Sequence, residues 1–353
     1  AMAHLVYPGA VHTRLHHSLG AYHLMRCALQ ELTSKGIEIT ASEQQAAKIA
    51  ILLHDIGHGP FSHALEHVLA EGLHHEELSL MLIRELNRQF DGKLQMALDI
   101  FTDKYPKKFL HQLVSGQLDV DRMDYLSRDS FFTGVNEGTI AYDRILKMLT
   151  VHNGELMVEE KGIYSIEKFL VARRLMYWQV YLHKTVLSAE QMLVRIIKRA
   201  KMVKAQCQEP LNSFINQPIH TISLEEFCSI DDYDVLMAIK KWASHNDKVL
   251  SVLCRGILDR QLLKVKYFSE PVNRVFVDEK TREVAEKLQI SAEDANWLAF
   301  SGEASSSTYN FENDHIHILF KDGTVKDISE VDNALINENL RGTVKKYYIC
   351  YLR

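Results

Sequence analysis

The stretch ILLHDIGHGPFSH, residues 51–63, joins an apolar run to side chains that can bind a metal ion. The run at 51–53 has the character of a buried helix face, and His54 and Asp55 follow it without a spacer. The Gly-Pro pair just beyond them ends the helix. Burying an imidazole and a carboxylate without partners costs on the order of several kcal/mol, so something must compensate. Two explanations are open here: a bound divalent ion, or a polar pair that caps a neighbouring element.

Histidine is the residue type that departs from an ordinary composition. Eleven of the 18 histidines lie in the first 75 residues, and such clusters usually serve metal or proton chemistry. Otherwise 46% of the residues are hydrophobic and 25% are charged, which is typical of a soluble protein. The net charge of −5 argues against broad affinity for nucleic acid.

Cysteine usage and hydropathy predict a cytoplasmic protein without a membrane segment. The five cysteines are scattered and form no CxxC pair, which is a poor disulfide framework. No apolar run reaches the length of about 18 residues that a membrane span needs, and no signal peptide is visible. The chain opens abruptly with AMAHLVYPGA, so we expect part of the N-terminal region to be missing.

Hydrophobic periodicity predicts a mostly α fold. The predicted helices cover 12–32, 42–57 with Ser42 as N-cap, 61–73, 74–90, 107–133 around a break at Ser115-Gly116, 164–206 and 224–265. A short β-hairpin is predicted from RILKMLTV (144–151) and LMVEEKG (156–162), with Asn153-Gly154 at its turn.

The character of the sequence changes after Pro271. RVFVD (274–278), HIHILFKDGTVKDISE (315–330) and KKYYICYLR (345–353) read as strands, with Lys321-Asp322-Gly323 at a hairpin tip. SGEASSSTYNFEN (301–313) reads as a loop. We therefore predict a helical domain over 1–205, a helical extension over 206–270 and a small α+β C-terminal region over 271–353.

Two further segments carry candidate functional residues. YPGAVHTRLHHSLG (7–20) sets paired histidines on a helix that also has an exposed-looking polar face. SGQLDVDRMDYLSRDSFFTG (115–134) contains four aspartates, of which Asp121 and Asp124 share a helix face. That segment is too apolar for a merely solvated acidic stripe.

Four blocks, HTRLHHSLG, HDIGHGPFSH, HHEELS and LDVDRMDYLSRD, occur in an order that resembles the HD-domain phosphohydrolases. The chain is most similar to their deoxynucleoside triphosphate triphosphohydrolase branch, which includes dGTPase- and SAMHD-like proteins. The resemblance implies an HD-type helical domain. It also implies one divalent metal ion, of Mn, Fe, Ni, Zn or Mg, held by His17, His54, Asp55 and Asp121. A second Mg²⁺ accompanying the substrate triphosphate is left open.

The same resemblance assigns the proton-transfer residues. A histidine beside a carboxylate can pass a proton near neutral pH. His75 and its neighbour Glu76 correspond to such a pair in the family, and His74 fits that role less well than His75. His67 and His23 are interpreted as structural. The full set of implied catalytic residues is His58, His63, Glu66, His75 and Glu76.

The substrate residues are also carried over from the family. A triphosphate needs cations, and Arg14, Arg122 and Arg173 match phosphate-binding positions. Many relatives have lysine where this chain has Arg122, and arginine binds as a fork rather than as a point charge. Contacts to the sugar fall to Tyr125, Asp129 and Tyr181.

The resulting prediction is a metal-dependent enzyme that hydrolyses deoxynucleoside triphosphates to deoxynucleoside and inorganic triphosphate. One alternative is an HD phosphohydrolase acting on another nucleotide or phosphoester. A second is a regulator that senses nucleotides or binds nucleic acid without turnover, although a pure binder does not need four metal ligands. The resemblance also implies a homo-oligomer.

Overall fold

The computed structural model describes residues 2–70, 72–306, 309, 315–331 and 344–353. Helices dominate these residues, which confirms the predicted mostly α fold with a small α+β part. The helices are α1 (Arg14–Ser34), α2 (Ala41–Leu53), α3 (Glu66–Leu69), α4 (His75–Gln89), α5 (Gln95–Phe101), α6 (Lys108–Val114), α7 (Val120–Thr133), α8 (Tyr142–Met148), α9 (Ile163–Met176), α10 (Lys184–Met202), α11 (Leu211–Asn216), α12 (Leu224–Ser229), α13 (Asp232–Trp242), α14 (Lys248–Leu258), α15 (Arg274–Leu288) and α16 (Ala292–Ala295). The strands are β1 (Leu149–His152), β2 (Glu155–Glu159), β3 (Lys264–Phe268), β4 (Ala299–Ser306), β5 (His317–Leu319), β6 (Val325–Asp327) and β7 (Val344–Tyr351).

The first apolar core lies among α1, α2, α5 to α9 and the β1–β2 hairpin. Met25, Leu29, Ile51 and Phe169 are fully or almost fully buried in it. Threonine residues cap both α1 and α2, each accepting a backbone N–H of the first turn. The core therefore holds α1, α2 and α7 side by side, and these helices carry most of the candidate metal ligands.

The second apolar core lies among α10, α11, α13, α14 and the sheet of β3, β7 and β4. Trp242, Leu250 and Ile349 are buried in it. In the sheet, β7 is central and pairs antiparallel with β3 and β4. Phe61 and Leu65, from the turn after the His-Asp pair, also pack into this core. Both cores therefore contact the segment 51–63.

The two cores are not consecutive along the chain. Strand β5 pairs parallel to β2 through Val158 and Ile318, and β5–β6 thereby join the first core. The C-terminal strand β7 belongs to the second core. The division at residues 205 and 270 stays a prediction, and the segment after 271 contributes to both cores.

Several predicted boundaries agree with the structure. The hairpin turns at Asn153-Gly154, both with positive φ, and the β5–β6 hairpin has its tip at 321–323. The α6 and α7 helices flank the expected break near Gly116. Among the described residues, no helix combines the length and apolarity needed to cross a bilayer.

Other predicted elements are wrong near the HD segment. The N-cap of α2 is Thr40 rather than Ser42, and Glu43 completes its capping box. The helix predicted over 61–73 is broken into a 3₁₀ turn and the short α3. Phe61 and Ser62 both have positive φ, which a continuous right-handed helix excludes.

Further corrections fall in the hairpin and the C-terminal half. Residues 144–148 of the predicted first strand belong to helix α8, and RVFVD is also helical, because it opens α15 behind the N-cap Asn273. The region predicted as helix up to 265 ends at Leu258 and continues into β3. Part of the predicted loop 301–313 is strand β4, because β7 supplies it with a partner; residues 307, 308 and 310–313 of that loop lie outside the described residues.

Candidate metal centre and active site

The His-Asp pair sits where α2 stops against α4. Helix α2 ends at Leu53, and His54 is its C-cap. The Ser79 hydroxyl of α4 donates to the His54 carbonyl at 2.8 Å and accepts from the Gly57 N–H at 2.9 Å. A Cβ at Gly57 would lie only 2.2 Å from the His75 carbonyl oxygen. Glycine is therefore required for α4 to approach and bring His75 beside the pair.

The structure brings the four predicted metal ligands together from α1, the end of α2 and α7. His17 Nε2 lies 3.0 Å from Asp121 Oδ1 and 3.8 Å from Asp55 Oδ2. His54 Nε2 lies 3.5 Å from Asp55 Oδ1 and 3.5 Å from Asp121 Oδ1. Two imidazole nitrogens and two carboxylates thus face one small space, although the ligands are spread over more than a hundred residues of sequence.

Hydrogen bonds on the far side of each ring orient both imidazoles. His17 Nδ1 donates to Asp124 Oδ2 at 2.8 Å, and His54 Nδ1 donates to the Ile51 carbonyl at 2.6 Å. Each ring therefore directs its Nε2 at the shared space, where a bound cation would take the place of any proton on that nitrogen. His54 Nε2 is buried and has no hydrogen-bond partner among the described residues. A buried, aimed and unpartnered nitrogen between carboxylates fits a divalent ion.

The electrostatics of this space also favour a cation. Burial disfavours the charged form of His17, but hydrogen bonds to Asp121 and Asp124 outweigh it and raise the pKa of His17 to about 10. Burial likewise works against the Asp121 carboxylate, but His17 and His54 hold its pKa well below the usual range. The Asp121 carboxylate is thus ionised, and a positive charge beside it is stabilised.

Asp124 is a candidate positioning residue to which the sequence analysis assigned no role. Arg128 holds it with two hydrogen bonds of 2.9 Å, so the carboxylate is fixed toward His17. A Cβ at Gly20 would lie 1.9 Å from Asp124 Oδ1, so this pair fits only against a glycine of α1. The signal in the sequence was the spacing: Asp124 lies three residues after Asp121 and four before Arg128.

A second histidine cluster adjoins the metal centre. The His58 and His75 rings stack with centroids 4.0 Å apart, and His63 meets both rings edge-on. His58 Nε2 lies 3.5 Å from Asp55 Oδ1, which links the two clusters. Burial, followed by the charge of Arg14, holds the pKa of His58 far below its usual value, so this ring is neutral.

Glu66 is the carboxylate that orders the second cluster. Its Oε1 accepts from His75 Nδ1 at 2.8 Å and from the His75 backbone N–H at 3.0 Å, and its Oε2 accepts from His63 Nδ1 at 3.0 Å. Burial opposes its ionisation, but these hydrogen bonds lower the pKa of Glu66 to about 2. Glu76, the other predicted carboxylate, lies exposed on the first turn of α4. The partner of the His75 ring is therefore Glu66.

The predicted phosphate-binding arginines occupy three different settings. Arg14 Nε donates to Ser62 Oγ at 2.7 Å, and its Nη1 donates to Asp55. Arg122 donates to the Gly116 carbonyl and forms an ion pair with Asp119 at 3.2 Å.

Arg173, on α9, is buried, and its Nη1 donates to Gln117 Oε1 at 3.1 Å. Its Nε is buried without a hydrogen-bond partner among the described residues.

The predicted sugar-binding residues form one group. Tyr181 Oη donates to Asp129 Oδ2 at 2.6 Å, and the Tyr125 and Tyr181 rings meet edge-on at 6.4 Å. Burial, followed by the nearby Asp129 charge, raises the pKa of Tyr181 well above its ordinary value, so the phenol stays a donor. Tyr181 closes a π-helical turn over Tyr177–Tyr181, a distortion often found at functional sites. His12, which we did not assign from sequence, donates to Asp129 Oδ1 at 2.7 Å.

The loop that carries Ser62 is held from the second core. Asp232, in the first turn of α13, accepts the Phe61 backbone N–H at 2.7 Å. Phe61 and Ser62 have φ values of 54° and 52°, a left-handed conformation that costs side-chain-bearing residues about 1–2 kcal/mol each. This contact could not be inferred from sequence, because Asp232 and Phe61 lie far apart along the chain.

Comparison with known proteins gives the class to which this site belongs. The HD domain family matches residues 14–129, and the HD associated region matches residues 140–296. The chain is 31% identical over 362 residues to the uncharacterized protein YwfO of Bacillus subtilis, covering 96% of this chain and 80% of that protein. A solved structure of a phosphohydrolase from Bacteroides thetaiotaomicron matches with a TM-score of 0.95 and 48% identity, covering 99% of this chain and 90% of that one. The chain belongs to the HD-domain phosphohydrolase family.

Within that family the similarity extends to the SAMHD-like branch, as the four sequence blocks predicted. The chain is 30% identical over 234 residues to the deoxynucleoside triphosphate triphosphohydrolase SAMHD1 homolog of Dictyostelium discoideum, covering 60% of this chain and 45% of that protein. It is 25% identical over 243 residues to SAMHD1 of Danio rerio, covering 56% and 39%. The chain spans less than half the length of these two relatives.

Proposed function

We propose that the protein hydrolyses deoxynucleoside triphosphates to deoxynucleoside and inorganic triphosphate, using one divalent ion held by His17, His54, Asp55 and Asp121. The observation that carries the proposal is the hydrogen-bonded Tyr181–Asp129 pair beside Tyr125, which follows Asp121 by one turn of α7. A protonated phenol and a carboxylate next to a metal centre suit a sugar next to a phosphate. The relatives named deoxynucleoside triphosphate triphosphohydrolases support the same substrate class.

The arginines supply the charge that a triphosphate requires. Arg14 is hydrogen-bonded to Asp55 at the edge of the metal centre and is partly exposed, so it can pair with a phosphate near the ion. Arg173 is buried and its Nε is unpartnered, which suits an anion that arrives with the substrate. Arg122 already forms an ion pair with Asp119. Its role is therefore to position neighbouring groups more than to bind phosphate directly.

Proton transfer falls to the second histidine cluster. When bound, a divalent ion polarises a phosphate oxygen and helps to activate water for attack on the α-phosphorus. His75 Nδ1 is tied to Glu66, which leaves His75 Nε2 as the atom that exchanges a proton. The Glu66 carboxylate stabilises the imidazolium while it carries that proton. Neutral His58, stacked on His75, orients the ring and donates or accepts at its own free nitrogen.

The test is an assay of the purified, metal-loaded protein with the four common deoxynucleoside triphosphates and the matching ribonucleotides. We expect inorganic triphosphate and deoxynucleoside as products and a clear preference for the deoxy sugar. Asp55→Ala should lose metal and activity together. Elemental analysis of the same preparation identifies the metal, and gel filtration with light scattering tests the expected homo-oligomer.

The Tyr181→Phe variant isolates the sugar contact. It keeps the ring and removes only the hydroxyl that Asp129 accepts, so it should narrow the difference between deoxy- and ribonucleotides while leaving metal content unchanged. Equal wild-type rates on dGTP and GTP, or release of pyrophosphate, would contradict the proposed substrate. Activity on a simple phosphomonoester with no triphosphate product would instead favour a phosphohydrolase of the same family with another substrate.

A further inference from the structure

Two exposed histidines outside the proposed reaction face the same carboxylate that orders the catalytic cluster. His67 lies on α3, directly after Glu66, and His74 is the N-cap of α4. Neither contributes to the metal centre, and neither has a part in proton transfer as proposed above. Both side chains are exposed, whereas the His58 and His75 side chains are only 1% and 22% exposed.

The geometry of this outer trio is close to that of a metal site. One ligand atom from each of Glu66, His67 and His74 lies within 4.8 Å of the other two. His74 Nδ1 is 3.8 Å from Glu66 Oε1. The two rings are nearly perpendicular, at 81°, with centroids 5.4 Å apart. A tetrahedral zinc ion with bonds of about 2.0–2.1 Å spaces its ligand atoms about 3.4 Å apart. A small movement of the two imidazole rings toward Glu66 therefore brings the three ligand atoms to the spacing of a zinc site.

The chemistry of the trio selects a particular class of ion. Two imidazoles and one carboxylate with a remaining open position form a donor set that zinc commonly takes. The Glu66 side chain is only 8% exposed and is ionised, whereas the His74 side chain is 64% exposed. The buried Glu66 carboxylate is therefore the fixed anionic ligand, and the two more exposed histidines can reorient to meet an ion bound to it.

We propose that Glu66, His67 and His74 form an outer site for zinc or a similar borderline divalent ion, and that its occupancy inhibits the hydrolase. The inhibitory part rests on the proposed role of His75 in proton transfer.

Inhibition follows from the limited capacity of one oxygen atom. Glu66 Oε1 already accepts both the His75 Nδ1–H and the His75 backbone N–H. A carboxylate oxygen offers about two lone-pair directions. An ion bound to Oε1 therefore displaces a hydrogen bond from His75, and that ring loses the anion that holds it and stabilises its charged form. His63, on the other oxygen, is disturbed when the carboxylate turns.

The binding test uses the full chain with its catalytic metal in place. Equilibrium dialysis against low micromolar zinc, followed by elemental analysis, counts the zinc bound by wild type and by the double variant His67→Gln/His74→Gln. We expect wild type to bind one equivalent more than the double variant. His220→Gln, which removes an exposed histidine elsewhere, is the matched control and should bind as wild type does. Equal zinc counts for wild type and the double variant would overturn the outer site.

The activity test uses the same proteins at the same zinc concentrations. When zinc is added, the hydrolysis rates of wild type and His220→Gln should fall by about tenfold or more. A decrease of this size is within the rate contribution of one general acid or base. The double variant should match wild type without zinc and stay active when zinc is added. An extra equivalent without inhibition would overturn the inhibitory role, and equal inhibition of the double variant would assign the effect to the inner cluster. Because dialysis needs no substrate, it decides the outer site even if deoxynucleotides are not hydrolysed.

Discussion

A single carboxylate, Asp124, determines how His17 faces the metal centre. It accepts from His17 Nδ1 and is itself held by Arg128. Partners of this kind fix the tautomer of a metal-binding histidine and commonly contribute tenfold to a hundredfold in metal affinity. We therefore expect Asp124 to be a positioning residue, which acts on a bound metal through the His17 imidazole.

Asp124→Ala should lower metal affinity by about 10- to 100-fold, because His17 loses the partner that orients it. Asp124→Asn keeps an acceptor for the ring and should cost less. Competition with a chromophoric chelator measures both affinities. Asp143→Asn, an exposed aspartate on α8, is the control. Unchanged affinity in Asp124→Ala would show that His17 is oriented without it.

At the residue scale, sequence motifs identify candidate site residues, but they do not reveal contacts between segments that are distant along the chain. The clustering of His17, His54, Asp55 and Asp121 follows the predicted set, although their roles stay predictions. His12, Asp124 and Asp232 were missed, since each acts through a contact between distant segments. Glu66 was recognised, but its position between two histidines was not, because that depends on the close approach of α3 and α4.

At the scale of elements, α13 stabilises the loop that follows the HD segment. Asp232 accepts the Phe61 N–H, and the next residue, Ser62, holds Arg14. Because Arg14 also contacts Asp55, the second core is connected to the metal centre through one loop. Loss of the Asp232 contact should therefore disturb phosphate recognition more than metal binding.

Asp232→Ala should lower kcat/KM for the triphosphate substrate by about tenfold, close to 1.4 kcal/mol, with metal content unchanged. Asp232→Asn retains an acceptor and should rescue most of the loss. Asp234→Ala is the matched control, because it removes a capping contact of the same helix but leaves the Phe61 contact intact. Steady-state kinetics and metal analysis are the measurements. If Asp234→Ala had the same effect, the cause would be general loosening of α13.

Glu43 joins α2 to the segment before α6, and we expect this contact to make the fold sensitive to acid. Burial opposes its ionisation, but Lys107, Thr40 and Tyr105 hydrogen-bond to the carboxylate and lower the pKa of Glu43 to about 2. The pKa is below that of the unfolded chain, so the stabilisation is present above pH about 4.5 and is lost as the pH falls toward 2.

Glu43→Gln should reduce the free energy of unfolding by about 2–3 kcal/mol at neutral pH and flatten its decline between pH 4.5 and 2. Urea unfolding at several pH values measures both effects. Glu38→Gln, an exposed glutamate nearby, is the control and should preserve the slope. An unchanged slope in Glu43→Gln would mean that other carboxylates cause the acid sensitivity.

The secondary structure predicted from sequence is correct where neighbouring residues alone determine the backbone conformation. Asn153-Gly154 gives a hairpin turn from two residues alone. RVFVD alternates like a strand, yet the helix-forming residues after it and the Asn273 cap make it the start of α15. Strand β4 is built of small residues and forms only because β7 lies beside it. Such pairings depend on tertiary context that a local pattern does not contain.

At the scale of the whole molecule, the chain returns to its first core after building most of the second. Ile318 on β5 is fully buried beside Val158 of β2. The helices that carry the candidate metal ligands and this late strand therefore share one apolar core. No composition shift in the sequence marks this return.

Ile318→Ala should cost about 2–5 kcal/mol of stability and should reduce hydrogen-exchange protection in α1, α2 and β2. Ile349→Ala removes the same side chain from a fully buried site in the second core and is the matched comparison. Its loss of protection should centre on β3, β4 and α14. Exchange measured by mass spectrometry distinguishes the two patterns, and identical patterns would show that the cores open only together.

The left-handed backbone at Ser62 implies a conflict between durability and turnover. Glycine there would relieve the strain at a φ of 52°, and an engineer seeking heat resistance would choose it. The same exchange would remove the hydroxyl that Arg14 needs. A substitution that makes the backbone more stable at this position would therefore weaken the contact that holds Arg14 beside Asp55.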